Sequence, residues 1–348
     1  MEIPAAAPST AAASRAWQKI VARYAQPNLR RSLWGIITSF GPYLLLWALM
    51  YFSLRIHYAL TLLLAFVTAG FMVRIFIILH DCGHGSYFKS SRANDWVGLF
   101  SGVFAFTPFF SWRHNHAKHH ATAGDLDRRP SWDVPVTYTV REYLTAPRWK
   151  QLIYRVYRHP VILFGIAPAL LFLVAQRIPA PGTGRREKFS VHFTNLALLA
   201  LFLVLGYFLG FGQVLAVQLP IMIIGATIGV WLFYVQHQFE DTYWERGDQW
   251  DYAQAALQGS SYYKLPKLLQ WLTGNIGLHH IHHLSSRIPN YALQACHDEN
   301  PELQNVSTIS LLGSLKCIKL RLWDEETQKL VSFAHLKTLR LNRAAHSA

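Results

Sequence analysis

Residues 58–84 read YALTLLLAFVTAGFMVRIFIILHDCGH, an apolar run that passes without a break into a short polar motif. The run from Tyr58 to Leu79 is long enough to cross a bilayer as a helix, because a span needs ~20 apolar residues at 1.5 Å per residue. His80 and His84 follow at once, at the i, i+4 spacing that places two imidazoles on one face of a continuing helix. The stretch therefore predicts a membrane-spanning helix that delivers histidines to one membrane surface.

Further apolar runs predict three more spans, so that four spans form two hairpins. Hydrophobic residues make up 52% of the chain and charged residues only 15%, a composition typical of an integral membrane protein. Two stretches of ~15 residues, 96–110 and 161–175, are short for a span. We expect both to be re-entrant or interfacial, because a full crossing would put histidine motifs on opposite membrane faces. The four predicted spans lie at about 32–54, 58–79, 193–212 and 215–236.

Lysine and arginine exceed aspartate and glutamate by 33 − 19 = 14, and the surplus lies in the polar segments between the spans. Such a surplus orients membrane proteins with these segments in the cytosol, and it also suits docking of an acidic redox partner. We expect both termini to be cytosolic. We expect no nucleic-acid binding, because no soluble basic domain remains outside the spans. The predicted organisation is a basic cytosolic tail (1–31), a membrane domain (32–300) and a cytosolic amphipathic C-terminal segment (301–348).

Histidines in helical spacing recur in two later polar segments, and a further histidine stands where the fourth span ends. The two later motifs have i, i+3, i+4 spacing, so their imidazoles share one helix face. Because the predicted topology brings all of these segments to one side of the membrane, we expect the imidazoles to share one metal centre. The nine candidate ligands are His80, His84, His116, His119, His120, His237, His279, His282 and His283.

Nine imidazoles are too many for a tetrahedral zinc site, and the nearby carboxylates are too few for calcium or magnesium. Imidazole suits iron, copper, zinc and nickel, and nine ligands divide into four and five for two metals, with positions left for O2 or water. We favour iron for a site that faces the membrane interior, because reduced iron activates O2 for attack on unactivated methylenes. We predict supporting roles, chiefly in orienting ligand imidazoles, for Asp81, Asp125, Asp127, Glu240, Asp241 and His280.

The histidine motifs resemble the three histidine boxes, HxxxH, HxxHH and HxxHH, of the membrane fatty acid desaturase family. Here the boxes are residues 80–84, 116–120 and 279–283, and the order of spans and boxes also matches from about residue 30 to 300. The strings HDCGHGSY, HHATAGDLDRR, VQHQFE and HHLSSRIPNY resemble the acyl-lipid branch, which includes bacterial and cyanobacterial Δ12 (omega-6) desaturases.

The resemblance implies an all-α integral membrane fold with four transmembrane helices in two hairpins and a cytosolic helical cap. In that cap the boxes and His237 would hold two iron ions (Fe2+/Fe3+). The implied activity is an oxygen-dependent desaturase that inserts a double bond into a lipid-linked acyl chain with O2 and two electrons, of the Δ12/omega-6 type, in a bacterial inner membrane. One position departs from the stearoyl-CoA branch. That branch has an asparagine one turn before the extra histidine, where it holds a water on a metal, and this chain has Phe233.

Electrons are expected from an external donor, a ferredoxin or cytochrome b5, because the chain carries no flavin, nicotinamide, heme or iron–sulfur signature. The substrate is expected to be the acyl chain of a membrane lipid, which threads an apolar tunnel from the bilayer to the metal centre. Tunnel-lining residues are predicted on the second and fourth spans, at Met72, Phe76, Trp231 and Tyr234.

Two alternatives stay open. A fatty acyl hydroxylase or a carotenoid oxygenase would use the same scaffold and metal site, since only the fate of the carbon radical differs. A histidine-rich metal transporter is the alternative from another class, although transporters place polar ligands inside their spans and these spans are nearly free of such groups. The sequence leaves open the position of the double bond, the acyl carrier, the identity of the electron donor and the oligomeric state.

Overall fold

The computed structural model of the chain describes residues 10–130 and 135–336, and helices dominate it. The helices are α1 (Thr10–Tyr24), α2 (Leu29–Ser53), α3 (Tyr58–His84), α4 (Ser91–Phe104), α5 (Phe109–Thr122), α6 (Val140–Thr145), α7 (Arg148–Tyr157), α8 (Ala167–Leu173), α9 (Arg185–Leu209), α10 (Phe211–His237), α11 (Tyr252–Leu257), α12 (Lys267–Leu272), α13 (His279–Leu284) and α14 (Asn290–Asp298). The strands are β1 (Tyr138–Thr139), β2 (Tyr262–Lys264), β3 (Thr308–Ser310), β4 (Leu322–Asp324) and β5 (Lys329–Val331).

Four helices of the described chain, α2, α3, α9 and α10, are each long and apolar enough to cross a membrane, and they coincide with the four predicted spans. Their 25 to 27 residues extend ~37–41 Å, more than the ~30 Å of a hydrocarbon core. Exposed apolar side chains such as Leu63, Leu196 and Phe208 cover their outward faces. The helix that contains the third span begins at Arg185 rather than near 193, because the basic residues before the apolar run are also helical.

Short turns join the helices of each hairpin. Before α3, the Nδ1 atom of His57 accepts a hydrogen bond from the backbone N–H of Ala59 at 3.1 Å and so caps the helix. Between α9 and α10 the break is a single residue, Gly210, whose φ of 92° is strained for any residue with a Cβ atom. The predicted spans left this break at about 213–214, and the structure places it at Gly210.

The two short apolar stretches form bent or interrupted helices. The first becomes α4, whose 14 residues extend only ~21 Å before the chain breaks at Phe106, where φ is 53°. The second belongs to a helix pair, Arg148–Tyr157 and Val161–Arg177, that bends by 58°. A bend of this size is compatible with either a broken span or a re-entrant loop, so the re-entrant path of this segment stays a prediction.

The polar parts of the chain form a cap at one end of the four-helix bundle. The cap is not wholly helical, because it contains a three-stranded sheet, β1-β4-β5, and a two-stranded parallel sheet, β2-β3. The segment after residue 300, predicted to be amphipathic, supplies β3, β4 and β5, and Leu322 and Trp323 are fully buried. Residues 337–348 of that segment lie outside the described chain.

The N-terminal helix is attached to the same cap. A guanidinium N–H of Arg23 donates to Oδ1 of Asn300 at 3.0 Å, and the hydroxyl of Tyr24 donates to Glu299 at 2.6 Å. Glu299 is the C-cap residue of α14, and Asn300 follows it. The start of the first span and the cap therefore lie at the same end of the bundle, as an even number of crossings requires.

Candidate metal centre

Four helix segments bring all nine candidate histidines together. The spans α3 and α10 end at His84 and His237, at the same end of the bundle. Both helices therefore release imidazoles into the cap. The cap helices α5 and α13 supply the other two motifs. Every one of these side chains is buried or half-buried.

The histidines form two groups, in each of which one ligand atom per residue lies within 4.8 Å of all the others. Among the described residues, neither group contains a carboxylate or a thiol. Neighbours in sequence divide between the groups, because side chains one residue apart point to different sides of a helix. The five-membered group is His80, His84, His116, His120 and His282, and the four-membered group is His119, His237, His279 and His283.

Within each group the ring nitrogens approach the separation of ligands on one ion. The Nε2 atom of His120 lies 3.1 Å from that of His116 and 3.0 Å from that of His282. In the other group, the Nε2 atom of His279 lies 3.0 Å from that of His237. Two nitrogens that each bind a metal at ~2.1 Å, at a right angle, are about this far apart.

The five-membered group holds nitrogens that other protein atoms leave unsatisfied. The Nε2 atoms of His80 and His84 are buried and have no hydrogen-bond partner in the described part of the chain. Each such nitrogen costs about 1–3 kcal/mol. The rings of both residues pack within 5 Å, centroid to centroid, of the ring of His282. A cation between these rings would satisfy both nitrogens, so the residues fit a bound metal ion.

Burial keeps the cap histidines neutral. Loss of hydration lowers the pKa of His116, His120 and His282 well below its usual value, and the neighbouring imidazoles lower it further. The same causes lower the pKa of His279 and His283. At pH 7 these side chains are uncharged, the form that offers a lone pair to a metal ion.

One predicted supporting residue, Asp81, contacts a candidate ligand directly. Its Oδ1 lies 3.1 Å from Nδ1 of His80, an arrangement in which Nδ1 donates and Nε2 keeps its lone pair. Its Oδ2 accepts hydrogen bonds from the backbone N–H and the side-chain amide of Asn290, at 2.7 and 2.8 Å. Sequence reasoning missed Asn290, although the residue lies inside the string HHLSSRIPNY.

The acidic residues predicted after the fourth span lie elsewhere. Glu240 and Asp241 are 64% and 68% exposed and pair with Lys329, so the prediction that they orient ligand imidazoles is wrong. The prediction is also wrong for Asp127, which pairs with Arg246 at the surface. Proximity in sequence misled here, because the chain reaches the surface at Glu240, three residues after α10 ends at His237.

Asp125 and His280 are buried but make other contacts. The Oδ1 atom of Asp125 accepts hydrogen bonds from the backbone N–H groups of Asp127 and Arg128, and its Oδ2 accepts from Nε of Arg128 at 2.5 Å. His280 lies outside both groups, and its ring packs against that of His297 at 5.6 Å. These contacts correct the predicted role: Asp125 stabilises the turn after α5, and His280 fills the interior of the cap.

An indole that sequence reasoning missed supports the five-membered group. The ring of Trp112 stacks on that of His116 with centroids 4.4 Å apart and planes 20° apart, and it meets the edge of Phe76. A Cβ atom on Gly83 would lie 2.8 Å from the indole, closer than packing allows. The glycine of the HDCGH motif thus leaves room for this ring beside the candidate ligands.

A cavity of about 310 Å³ extends along the inner faces of α3 and α10 and reaches both histidine groups. Its walls between the spans are mostly apolar. It runs from the middle of these helices to their ends in the cap. The histidines in its wall, two from each group, are His80, His116, His119 and His279.

Two of the four residues predicted to line a tunnel lie in the wall of this cavity. Met72 and Phe76 line it, whereas Trp231 and Tyr234 do not. The prediction for the latter two is wrong because they lie on another side of α10. Trp231 packs against Phe164 at 5.0 Å, and the hydroxyl of Tyr234 donates to backbone oxygens of the C-terminal segment. The cavity face of α10 instead carries Met222, Gly225, Ala226, Gly229, Val230 and Phe233.

Phe233 stands beside the four-membered group, where the stearoyl-CoA branch has an asparagine. Its ring lies 4.8 Å from the ring of His119 and 5.2 Å from that of His237. The same residue also lines a second cavity of about 440 Å³, whose lining includes Arg129 and Lys150. Phe233 therefore separates an apolar space between the spans from a more polar space in the cap.

Four apolar helices with two buried, all-histidine groups at one end of the bundle define a membrane protein with a candidate dinuclear metal centre. A family model described as fatty acid desaturase matches residues 55–307, and the chain belongs to that family. Its members are oxidoreductases, so the chain is an enzyme of the class that the histidine boxes indicate.

Several named proteins are similar to this chain. A fatty acid desaturase of Bacillus subtilis is 48% identical over 319 residues, which cover 92% of this chain and 90% of the relative. An sn-1 acyl-lipid omega-3 desaturase (ferredoxin) of Synechocystis is 30% identical over an alignment that covers 63% of this chain and 61% of the relative. An sn-1 oleoyl-lipid 12-desaturase of Picosynechococcus is 29% identical over an alignment that covers 66% of this chain and 65% of the relative. The two relatives whose names include a lipid substrate thus differ in the position of the double bond that each name specifies.

Proposed function

We propose that this chain is an oxygen-dependent acyl-lipid desaturase of the Δ12/omega-6 type, which holds two iron ions with its nine clustered histidines. One observation gives the proposal its main support. A single apolar cavity between the spans has imidazoles of both histidine groups in its wall, so an acyl chain in it would lie against both ions. The similarity to an oleoyl-lipid 12-desaturase supports the proposed position of the double bond.

Bound iron would supply the activation of O2 that removes two hydrogens, so that O2, two electrons and two protons convert –CH2–CH2– into –CH=CH– and two waters. The chain's own residues bind and orient the substrate. The walls around Met72, Phe76 and Val230 hold methylenes and exclude water. Trp112 and Phe233 pack against candidate ligand rings and restrict their rotation.

The proposed sidedness places the cap, both termini and the metal centre in the cytosol of a bacterium, with the spans in the inner membrane. The formal charge of +14 supports this orientation and suits an acidic electron donor. We favour a ferredoxin, because one similar desaturase is named for that donor. Cytochrome b5 is the alternative.

Expression in a host that accumulates oleate tests the activity. Fatty acids of cells that express the chain, analysed by gas chromatography with mass spectrometry, should contain a new diene with its second double bond at Δ12. A new bond at the omega-3 position would retain the desaturase and change its regiospecificity. A hydroxylated product without any new double bond would overturn the proposal in favour of a hydroxylase. Cells with a variant that carries alanine at both His119 and His120 provide the baseline.

Asparagine in place of Asp81 should weaken iron binding by about 10–100-fold. The amide would present an N–H to Nδ1 of His80, which would then accept, and the ring proton would move to Nε2, where it blocks metal ligation. The measurement is a competition titration of purified protein against an iron chelator. Asp127→Asn is the matched control, because that carboxylate faces the surface and contacts Arg246. Equal iron affinity in both variants would remove the proposed role of Asp81.

A further inference from the structure

The fourth span has a glycine that opens onto the apolar cavity. Gly229 lines the cavity, and a Cβ atom built on it would meet no atom within 4 Å. Gly225, one turn earlier, also lines the cavity but differs, since its Cβ would lie 2.2 Å from the terminal methyl of Met72. Of these two glycines, only Gly229 faces empty space in the described structure, so a side chain there would project into the cavity without displacing protein atoms.

The polarity of the cavity determines which end of an acyl chain enters it. Met222 and Gly225, fifteen and twelve residues before His237 on α10, line the part far from the histidines, and a polar headgroup buried there would lose its hydrogen bonds with water. The methyl end of the chain therefore occupies this part. The histidine end differs, because Nε2 of His80 is buried without a hydrogen-bond partner among the described atoms. The acyl tail beyond the reacting carbons thus points from the histidines toward the middle of the spans.

The distance from the metal centre to Gly229 then sets the depth at which a side chain at this position would stop the tail. Gly229 lies eight residues before His237 on α10, or ~12 Å along the helix axis. Beyond that depth the cavity continues past Gly225 to Met222. We propose that the absent side chain at position 229 lets long acyl tails pass, so that Gly229 sets the tail length that the enzyme accepts beyond its metal centre. The inference rests on the proposed function, since it assigns a specificity determinant to the same cavity.

Leucine at position 229 should close the cavity at this depth. The test uses purified full-length protein in nanodiscs and measures displacement of a fluorescent acyl lipid by lysophosphatidylcholines whose acyl chains range from ten to eighteen carbons. In Gly229→Leu the eighteen-carbon lipid should bind at least about tenfold more weakly, because each methylene forced out of an apolar site costs roughly fourfold in affinity. The shortest lipids should bind as they do to the wild type. In cells, the residual product should carry its double bond closer to the methyl end.

Gly212→Leu is the matched control. Gly212 lies on the same helix, its Cβ would also meet nothing within 4 Å, and it does not line the cavity. An unchanged chain-length profile in Gly229→Leu, or an equal change in both variants, would overturn the inference. If Gly229→Leu fails to accumulate, Gly229→Ala replaces it in the test. The alanine variant should show a smaller change of the chain-length profile in the same direction. An unchanged profile in the alanine variant would contradict the inference. Failure of the proposed function would look different: wild-type cells would form no new double bond, whatever the binding profile.

Discussion

Alanine in place of His120 is expected to remove one of two iron ions per chain and to abolish desaturation, whereas alanine in place of its neighbour His119 should remove the other ion. The two residues are adjacent in α5 but belong to different groups, because His120 lies with His282 and His119 with His237. Each group would keep its remaining imidazoles. Both variants should therefore retain about one iron per chain by elemental analysis of purified protein, and activity in oleate-rich cells should fall below detection, since the reaction needs both ions.

The pair His282 and His283 on α13 repeats this experiment at an independent position, because these residues also divide between the groups. His335→Ala is the control. Its Nε2 lies 3.0 Å from Asp324 in the cap, outside both groups, and its loss should change neither iron content nor activity. Two irons retained in either His119→Ala or His120→Ala, or loss of both irons from each of them, would contradict the division into separate groups.

The sequence was sufficient to predict the spans and the meeting of the histidines, because both follow from local rules. A helix of sufficient apolar length crosses a membrane, and i, i+3, i+4 spacing puts side chains on one face. Parity of crossings then places the motifs at one end of the bundle. The same face rule, applied backward from His237 in steps of four, leads to Phe233, Gly229 and Gly225. These three residues line the cavity, whereas Trp231 and Tyr234 do not. The face rule therefore identifies the face of α10 that lines the cavity.

Contacts between distant segments could not be predicted in this way. Asn290 binds Asp81 from 209 residues away, and no periodicity connects the two positions. Acidic residues were assigned to the metal centre because they follow a histidine in sequence. Glu240 and Asp241 instead face solvent, because the direction of the chain after a helix end depends on tertiary packing. The strands of the C-terminal segment escaped prediction for a related reason, since two or three residues carry no readable alternation.

Methionine in place of Arg158 should destabilise the cap more than any surface substitution. Arg158 is fully buried at the bend after α7. Its guanidinium donates to the backbone oxygens of Val136 and Leu320 at 3.1 and 3.0 Å, and to the side-chain oxygens of Thr137 and Gln238 at 3.2 and 3.0 Å. These acceptors belong to three segments far apart in sequence. One of the segments directly follows His237, so loss of the guanidinium should also loosen a candidate ligand.

Methionine would fill much of the same volume and remove the guanidinium from all four oxygens, although Leu320 and Gln238 keep a second donor, the hydroxyls of Tyr234 and Thr137. Loss of the guanidinium from buried acceptors costs about 1–3 kcal/mol, which corresponds to a fall of roughly 2–12 °C in apparent Tm. Thermal denaturation followed by size-exclusion chromatography of purified protein measures the fall. Lysine at this position should recover only part of the loss, because a single ammonium cannot span acceptors arranged for a planar fork. Arg246→Met is the control, since that side chain and its partner Asp127 are each 45% exposed and such an ion pair contributes less than about 1 kcal/mol. Equal apparent Tm values for Arg158→Met and Arg246→Met would show that other contacts stabilise the cap.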